Sequence, residues 1–303
     1  MSVATSTAAA TVTTTIATGK SRDRTPLSLI FLIGLWVSLF FGILVLLALI
    51  VTTAIEGAPR FDKALLTNYT SVVAPETAGF RAGILGSLWL MVFTALFAVP
   101  LGIAAALYLE EFATSDRWWH RFIEVNLQNL AAVPAIVYGL LAVAVMALMG
   151  FTDSGTVLGG SVALALLILP VIIITTREAV RAVPREIRDG SLALGATVWQ
   201  TTWKQTLPSA VPGIATGTIL GISRAIGEAA PLIVVGLAGS VRFDPEGVMS
   251  KITALPMQIY SLTSQSQEEL RQAASAAIIV LLIMILGLNA LAIFIRNKFQ
   301  RSW

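Results

Sequence analysis

Six windows of about 20 apolar residues recur along the chain, near 27–54, 82–108, 123–150, 157–176, 211–239 and 273–295. A helix needs a run of that length to cross a hydrocarbon layer roughly 30 Å thick. Only 12% of the 303 residues are charged and 56% are hydrophobic, against about 25% charged in an ordinary soluble domain. The predicted fold class is therefore an all-α integral membrane protein with six transmembrane helices. The formal charge of +3 does not point to nucleic acid, because the basic residues sit between apolar runs rather than on one solvated face. With no cysteine, the chain has no disulfide, thiolate nucleophile or Cys-ligated metal. The single His120, beside Trp118 and Trp119, lacks companions for a metal site and reads as an interfacial residue.

The first window is too long for a signal-peptide core and no small-residue cleavage site follows it, so it is expected to stay as an anchor. The Thr- and Ala-rich residues 1–25 read as a disordered tail, with Lys20, Arg22 and Arg24 beside the membrane. Lys and Arg are retained on the cytoplasmic side. With the N-terminus placed inside, 13 of the 20 basic residues fall on inside segments, 6 on outside segments, and Arg224 lies within a span. That bias fits an even number of spans with both termini cytoplasmic. Pro100, Pro134 and Pro170 fall inside predicted spans; each removes a backbone hydrogen bond, which favours kinked helices packed around a pathway over straight anchors.

The longest and most basic inside connection runs over 177–210. Pro184 can open a helix, Gly195 can close it, Thr197 can cap a second, and Pro208 can end that one. Two short amphipathic helices meeting at a glycine elbow are expected. On the residues alone they fit equally well as interfacial helices on anionic lipid, anchored by Trp199 and Trp203.

The segment "DGSLALGATVWQTTWKQTLP", Asp189 to Pro208, resembles the EAA loop of ABC-importer permeases. It shares an acidic-small-small opening (Asp189, Gly190, Ser191), the glycine Gly195, and Leu207-Pro208 at the family's distance. The opening departs from Glu-Ala-Ala, and Gln205 stands where an apolar residue is usual. "NLAAVPAIVYGL" (Asn129 to Leu140) and "SRAIGEAAPLIVVG" (Ser223 to Gly236) are similar to PstA-type permeases of phosphate importers. The resemblance covers nearly the whole chain beyond the tail. It implies a MetI-like permease domain over 26–303, with a cytoplasmic coupling loop at 177–210 that docks on a separate ATPase. It also implies a heterodimer with a PstC-like permease, a PstB-like ATPase dimer and a PstS-like phosphate-binding protein, in the plasma membrane of a prokaryote. No cofactor is expected on this chain; ATP and Mg belong to the partner ATPase, since the sequence holds no G-x-x-x-x-G-K-[ST] loop.

Arg224 and Glu228 stand four residues apart in an otherwise apolar run. An ionised arginine near the centre of a span costs at least about 2.5–3.5 kcal/mol, so it should face a partner or a wet cavity. One reading is a self-satisfied ion pair on one helical face. The other is functional: Arg224 offers a fork of donors that matches phosphate, and Glu228 holds it until substrate competes. Arg177 is a second candidate along the exit route, although basic residues at inside ends are the topological norm. Asn126 and Asn129 can donate hydrogen bonds to a passing ion or bind helix to helix. The outside loops, about 55–81 and 240–272, are long enough to receive a binding protein, with Asp244, Glu246, Glu268 and Glu269 as docking charges or plain solvated surface. The expected function is a transporter subunit rather than an enzyme, importing inorganic phosphate. The alternatives are another oxyanion such as sulfate or molybdate, an ion-driven secondary transporter, and a membrane scaffold or sensor.

Overall fold

A computed structural model of the chain describes residues 26–113 and 118–299. The tail expected over 1–25 lies outside the described residues, as does the side chain of His120. The described residues are helical with no strand; a single antiparallel bridge joins Thr156 and Lys251. Among the described residues four helices are long and apolar enough to cross a membrane, or five if one bent pair is a single span.

The chain divides into two units, residues 1–52 and 53–303. Helix α1, Pro26–Gly57, supplies the described part of the first. Residues 28–49 of it are exposed on every side. A helix apolar all round belongs in lipid or against another hydrophobic surface.

The second unit is built around α6, Val157–Arg181, preceded by α2, Lys63–Thr67, α3, Arg81–Leu107, α4, Trp118–Ala131, and α5, Ala135–Leu148. After it come α7, Arg185–Ala193, α8, Val198–Thr201, α9, Leu207–Gly227, α10, Ala230–Val235, α11, Leu255–Thr263, and α12, Glu268–Phe299. Small residues let backbones close on α6 from both sides. A Cβ at Gly102 of α3 would press on Ile172, and one at Gly213 or Gly217 of α9 would overlap Ala179 or Thr175. In lipid, where no hydrophobic drive pulls helices together, such close approach is the main source of packing energy. The core holds Leu90, Ala98, Leu164, Ile168 and Ile172, all buried.

The third apolar window is not one straight span. Pro134 is extended (φ −55°, ψ 136°), and α4 and α5 meet at 113°. Pro134 has no N–H to continue the ladder and pushes Val133 away from helical backbone. With 14 residues, α5 is roughly 21 Å long and falls short of the hydrocarbon thickness. The polar Glu124, Asn126, Gln128 and Asn129 along α4 suit a helix at the interface. The fifth window also breaks: α9 ends at Gly227, Glu228 is extended, and α10 runs only from Ala230 to Val235, where the left-handed Gly236 (φ 88°) stops it.

The segments before α3 and after α10 form one layer at the far end from α7. Gln258 of α11, fully buried, donates to Thr70 at 3.0 Å, and the Leu255 amide donates to Ser87 of α3 at 2.9 Å. Buried Arg60 donates to the carbonyls of Pro75 and Ala78 at 2.6 and 2.7 Å. Arg81 pairs with Asp244 at 2.6 Å, and the Tyr69 hydroxyl donates to the same carboxylate at 3.2 Å.

Candidate functional site

Arg224 occupies the last turn of α9, and Glu228 sits just beyond the helix end. The pair therefore does not share one helical face; it straddles a break in the span. Arg224 Nε lies 3.7 Å from Glu228 Oε1, with the side chains 48% and 29% exposed. At that distance the pair is loosely held. Among the described residues the Arg224 guanidinium makes no hydrogen bond, so its fork of donors is open toward a ligand. Broken helices at membrane depth persist where backbone lines a cavity or packs inside protein. Behind the arginine, the Tyr138 hydroxyl of α5 donates to the Leu130 carbonyl at 2.5 Å and sits within electrostatic reach of Arg224. Next to it, Ser223 bonds Asn289 of α12 and donates to the Ile219 carbonyl at 2.6 Å.

The remaining candidates lie away from that pair. Asn129 is exposed near the C-terminal end of α4, and its carbonyl accepts from the Ala132 amide at 3.1 Å. Asn126 donates to the Phe122 carbonyl one turn back at 2.7 Å. Arg177, with a side chain 13% exposed, is held by Glu110 at 3.2 Å and Glu124 at 3.0 Å. Two carboxylates therefore compete with any anion for this guanidinium. Glu110 also takes Arg181 at 2.6 Å, so the cluster ties the π-helical turn Tyr108–Phe112 to α4 and α6. The sequence reading did not single out Glu110, Glu111 or Glu124. Their partners are 53 to 77 residues away, beyond any local spacing rule.

The loop over 177–210 folds as the elbow its residues encode. Pro184 precedes α7, and Gly195 follows it in the left-handed region (φ 84°), where a residue without Cβ fits at no steric cost. Thr197 caps α8 in a full capping box with Gln200. Across the elbow, Ser191 and Thr201 share a hydrogen bond of 2.9 Å. Asp189, Gly190, Gly195 and Pro208 are exposed, whereas Leu207 packs beside Leu107, Val180 and Ile214. Contrary to expectation, Pro208 does not end the second helix. The π-helical stretch Thr202–Thr206 carries α8 into α9, with Pro208 in the first turn of α9. Its missing donor falls where the hydrogen-bond spacing changes, so the helical path continues.

The elbow presents an apolar surface. Leu194 is 91% exposed, and Leu192, Trp199 and Trp203 are exposed beside it. Trp199 packs between Phe112 at 5.8 Å and Trp203 at 5.4 Å, with both ring pairs tilted, which fixes α8 to the π-helical turn after α3. Among the described residues no group of three or more His, Asp or Glu is arranged to hold a metal ion.

Comparison with known proteins converges on one assignment. Residues 98–303 match the model of the family described as "Binding-protein-dependent transport system inner membrane component". The chain is 35% identical over 250 residues to the phosphate transport system permease protein PstA of Mycobacterium leprae, covering 80% of this chain and 79% of that one. It is 30% identical to PstA of Yersinia pestis, covering 86% and 88%. Its fold is similar to a chain of the MetNI methionine ABC transporter, with a TM-score of 0.57 at 16% identity, over 73% of this chain and 95% of that one. With its membrane-length helices, the chain belongs to the family of binding-protein-dependent transport system inner membrane components, as a multi-pass permease subunit of an ABC importer.

Proposed function

We propose that this chain is the PstA-type subunit of a phosphate importer, passing inorganic phosphate into the cytoplasm of a prokaryote through its plasma membrane. The observation that carries the reading is Arg224 at the break between α9 and α10: a guanidinium with open donors, held loosely by one carboxylate. Phosphate suits such a fork because two of its oxygens accept parallel hydrogen bonds. Glu228 keeps the charge paired when no anion is present, and its weak grip lets substrate compete. The names of the relatives support phosphate as the anion.

The six-span arrangement with both termini cytoplasmic is part of this reading. The bent pair α4–α5 counts as the third span and α9–α10 as the fifth. A PstC-like permease completes the pathway, and a PstS-like protein delivers phosphate to the outer layer around Asp244. A PstB-like ATPase dimer, which binds ATP and Mg, receives the exposed elbow at Leu194 and Gly195. The test is ATP-dependent uptake of labelled phosphate by vesicles holding the assembled transporter, with excess sulfate and molybdate as competitors. Phosphate uptake that neither anion suppresses supports the reading; uptake of sulfate or molybdate in preference contradicts it.

A further inference from the structure

We propose that a groove between α3, α9 and α12 holds an anionic phospholipid of the leaflet on the elbow's side of the membrane. The groove encloses about 780 Å³, within the size class of specific small-molecule sites. Its walls are apolar, among them Ile103, Leu107, Val211, Ala215 and Ala292. Pro100 and the small Ala104, Ala215 and Ala292 line it and leave the space unfilled.

Arg296 of α12 and Thr218 of α9 line the groove, and Trp203, exposed, lines it from the elbow. Arg296 donates to Thr216 at 2.8 Å and to Asn297 at 3.1 and 3.3 Å. These acceptors are neutral, and among the described residues no carboxylate lies within 4.0 Å of it. Its charge therefore has no acidic partner among the described residues. An acyl chain along the apolar walls, with a phosphate headgroup at Arg296, fits this arrangement. A helix from another protein would fill the walls but leave the guanidinium without an anion, so the charge favours lipid. The inference does not depend on which anion the transporter carries.

The test is native mass spectrometry of the assembled transporter released from nanodiscs of phosphatidylcholine and phosphatidylglycerol in equal amounts. The wild type should retain phosphatidylglycerol in preference. Arg296→Gln should lower that preference about fivefold, the change expected from ~1 kcal/mol per basic residue near anionic lipid. Arg296→Lys should keep most of it. Thr216→Val, which removes the hydrogen bond but leaves the charge, should keep it too, and separates headgroup binding from a local structural defect. Ala215→Phe, which fills the groove, should reduce retention of both lipids. Undiminished phosphatidylglycerol in Arg296→Gln, or a cysteine at Ala292 that cross-links efficiently to another protein chain of the transporter, overturns the proposal.

Discussion

Arg188 of α7 stands 3.0 Å from Glu111, in the π-helical turn that follows α3, and donates to the Val180 carbonyl of α6 at 2.6 Å. One guanidinium thus fastens the first elbow helix to two long helices. The Glu111 side chain is 8% exposed and that of Arg188 21%. A push on α7 should therefore pass to α3 and α6 rather than be absorbed in a loose loop.

Arg188→Gln should leave Glu111 buried without a cation and destabilise the transporter by about 3 kcal/mol, the low end for breaking a buried pair. The double change Arg188→Leu with Glu111→Leu should recover most of the stability, because no buried charge is then unpaired. It should not recover coupling. Thermal unfolding of the purified complex, measured beside transport per ATP hydrolysed, checks both halves.

At Gly195 the backbone is left-handed, yet a Cβ there would meet nothing within 4 Å among the described residues. Gly195→Ala should cost only the conformational strain, about 1–2 kcal/mol, and keep some transport. Gly195→Trp adds bulk to the exposed elbow. It should insert into the membrane normally while uptake fails and ATP hydrolysis detaches from it. Normal uptake at normal ATP cost in the tryptophan variant would remove the elbow from the coupling route.

Two glycines of α9 separate close packing from mere helix tolerance. Gly217→Leu would drive its side chain into Thr175 of α6, whereas a Cβ at Gly221 makes only ordinary contact with Ile172 at 3.5 Å. The first should destabilise by about 1–3 kcal/mol or more and lower the amount of intact chain in the membrane. Gly221→Ala should be nearly neutral. Quantitative immunoblots of membranes and thermal unfolding distinguish the two.

Much of this was legible in the sequence because it is local. Long apolar windows mark membrane helices, and the order Pro184, Gly195, Thr197 encodes an elbow that the structure forms with those residues in those roles. Hydropathy alone could not show that two windows break. Average apolarity is blind to backbone, and Pro134 sits in as hydrophobic a run as Pro170, which stays inside α6. The four-residue spacing of Arg224 and Glu228 suggested one helical face, but the helix ends between them. The surroundings of Arg177 were unreadable for another reason: Glu110 and Glu124 reach it only after three segments have folded together.

The outer layer carries a pH dependence of known sign. Hydrogen bonding from Arg81 holds the Asp244 carboxyl below the ordinary carboxylate range, with the Tyr69 hydroxyl assisting. A carboxyl depressed on folding contributes stability that is present above its unfolded value, about 3.9, and is lost as pH falls through the folded value. Nitroxide labels at Val73 and Val248 should report a narrow distance distribution near neutrality that broadens only in acid below about pH 4. Asp244→Asn should be broader at neutral pH and insensitive to acid. The pair is exposed, so the effect is small.

The central claim is that Arg224 meets the transported anion. Labelled phosphate uptake per intact complex tests it most directly in three variants: Arg224→Lys, Arg224→Leu, and Arg224→Leu with Glu228→Leu. The lysine keeps the charge and loses the planar fork, so uptake should fall by about tenfold or more while assembly stays near normal, as the loss of one charge-assisted hydrogen bond of about 1.5–3 kcal/mol implies. Both leucine variants should assemble and fail to transport. Robust uptake by the double leucine variant would contradict the account, leaving Arg224 and Glu228 as a structural pair at the end of α9.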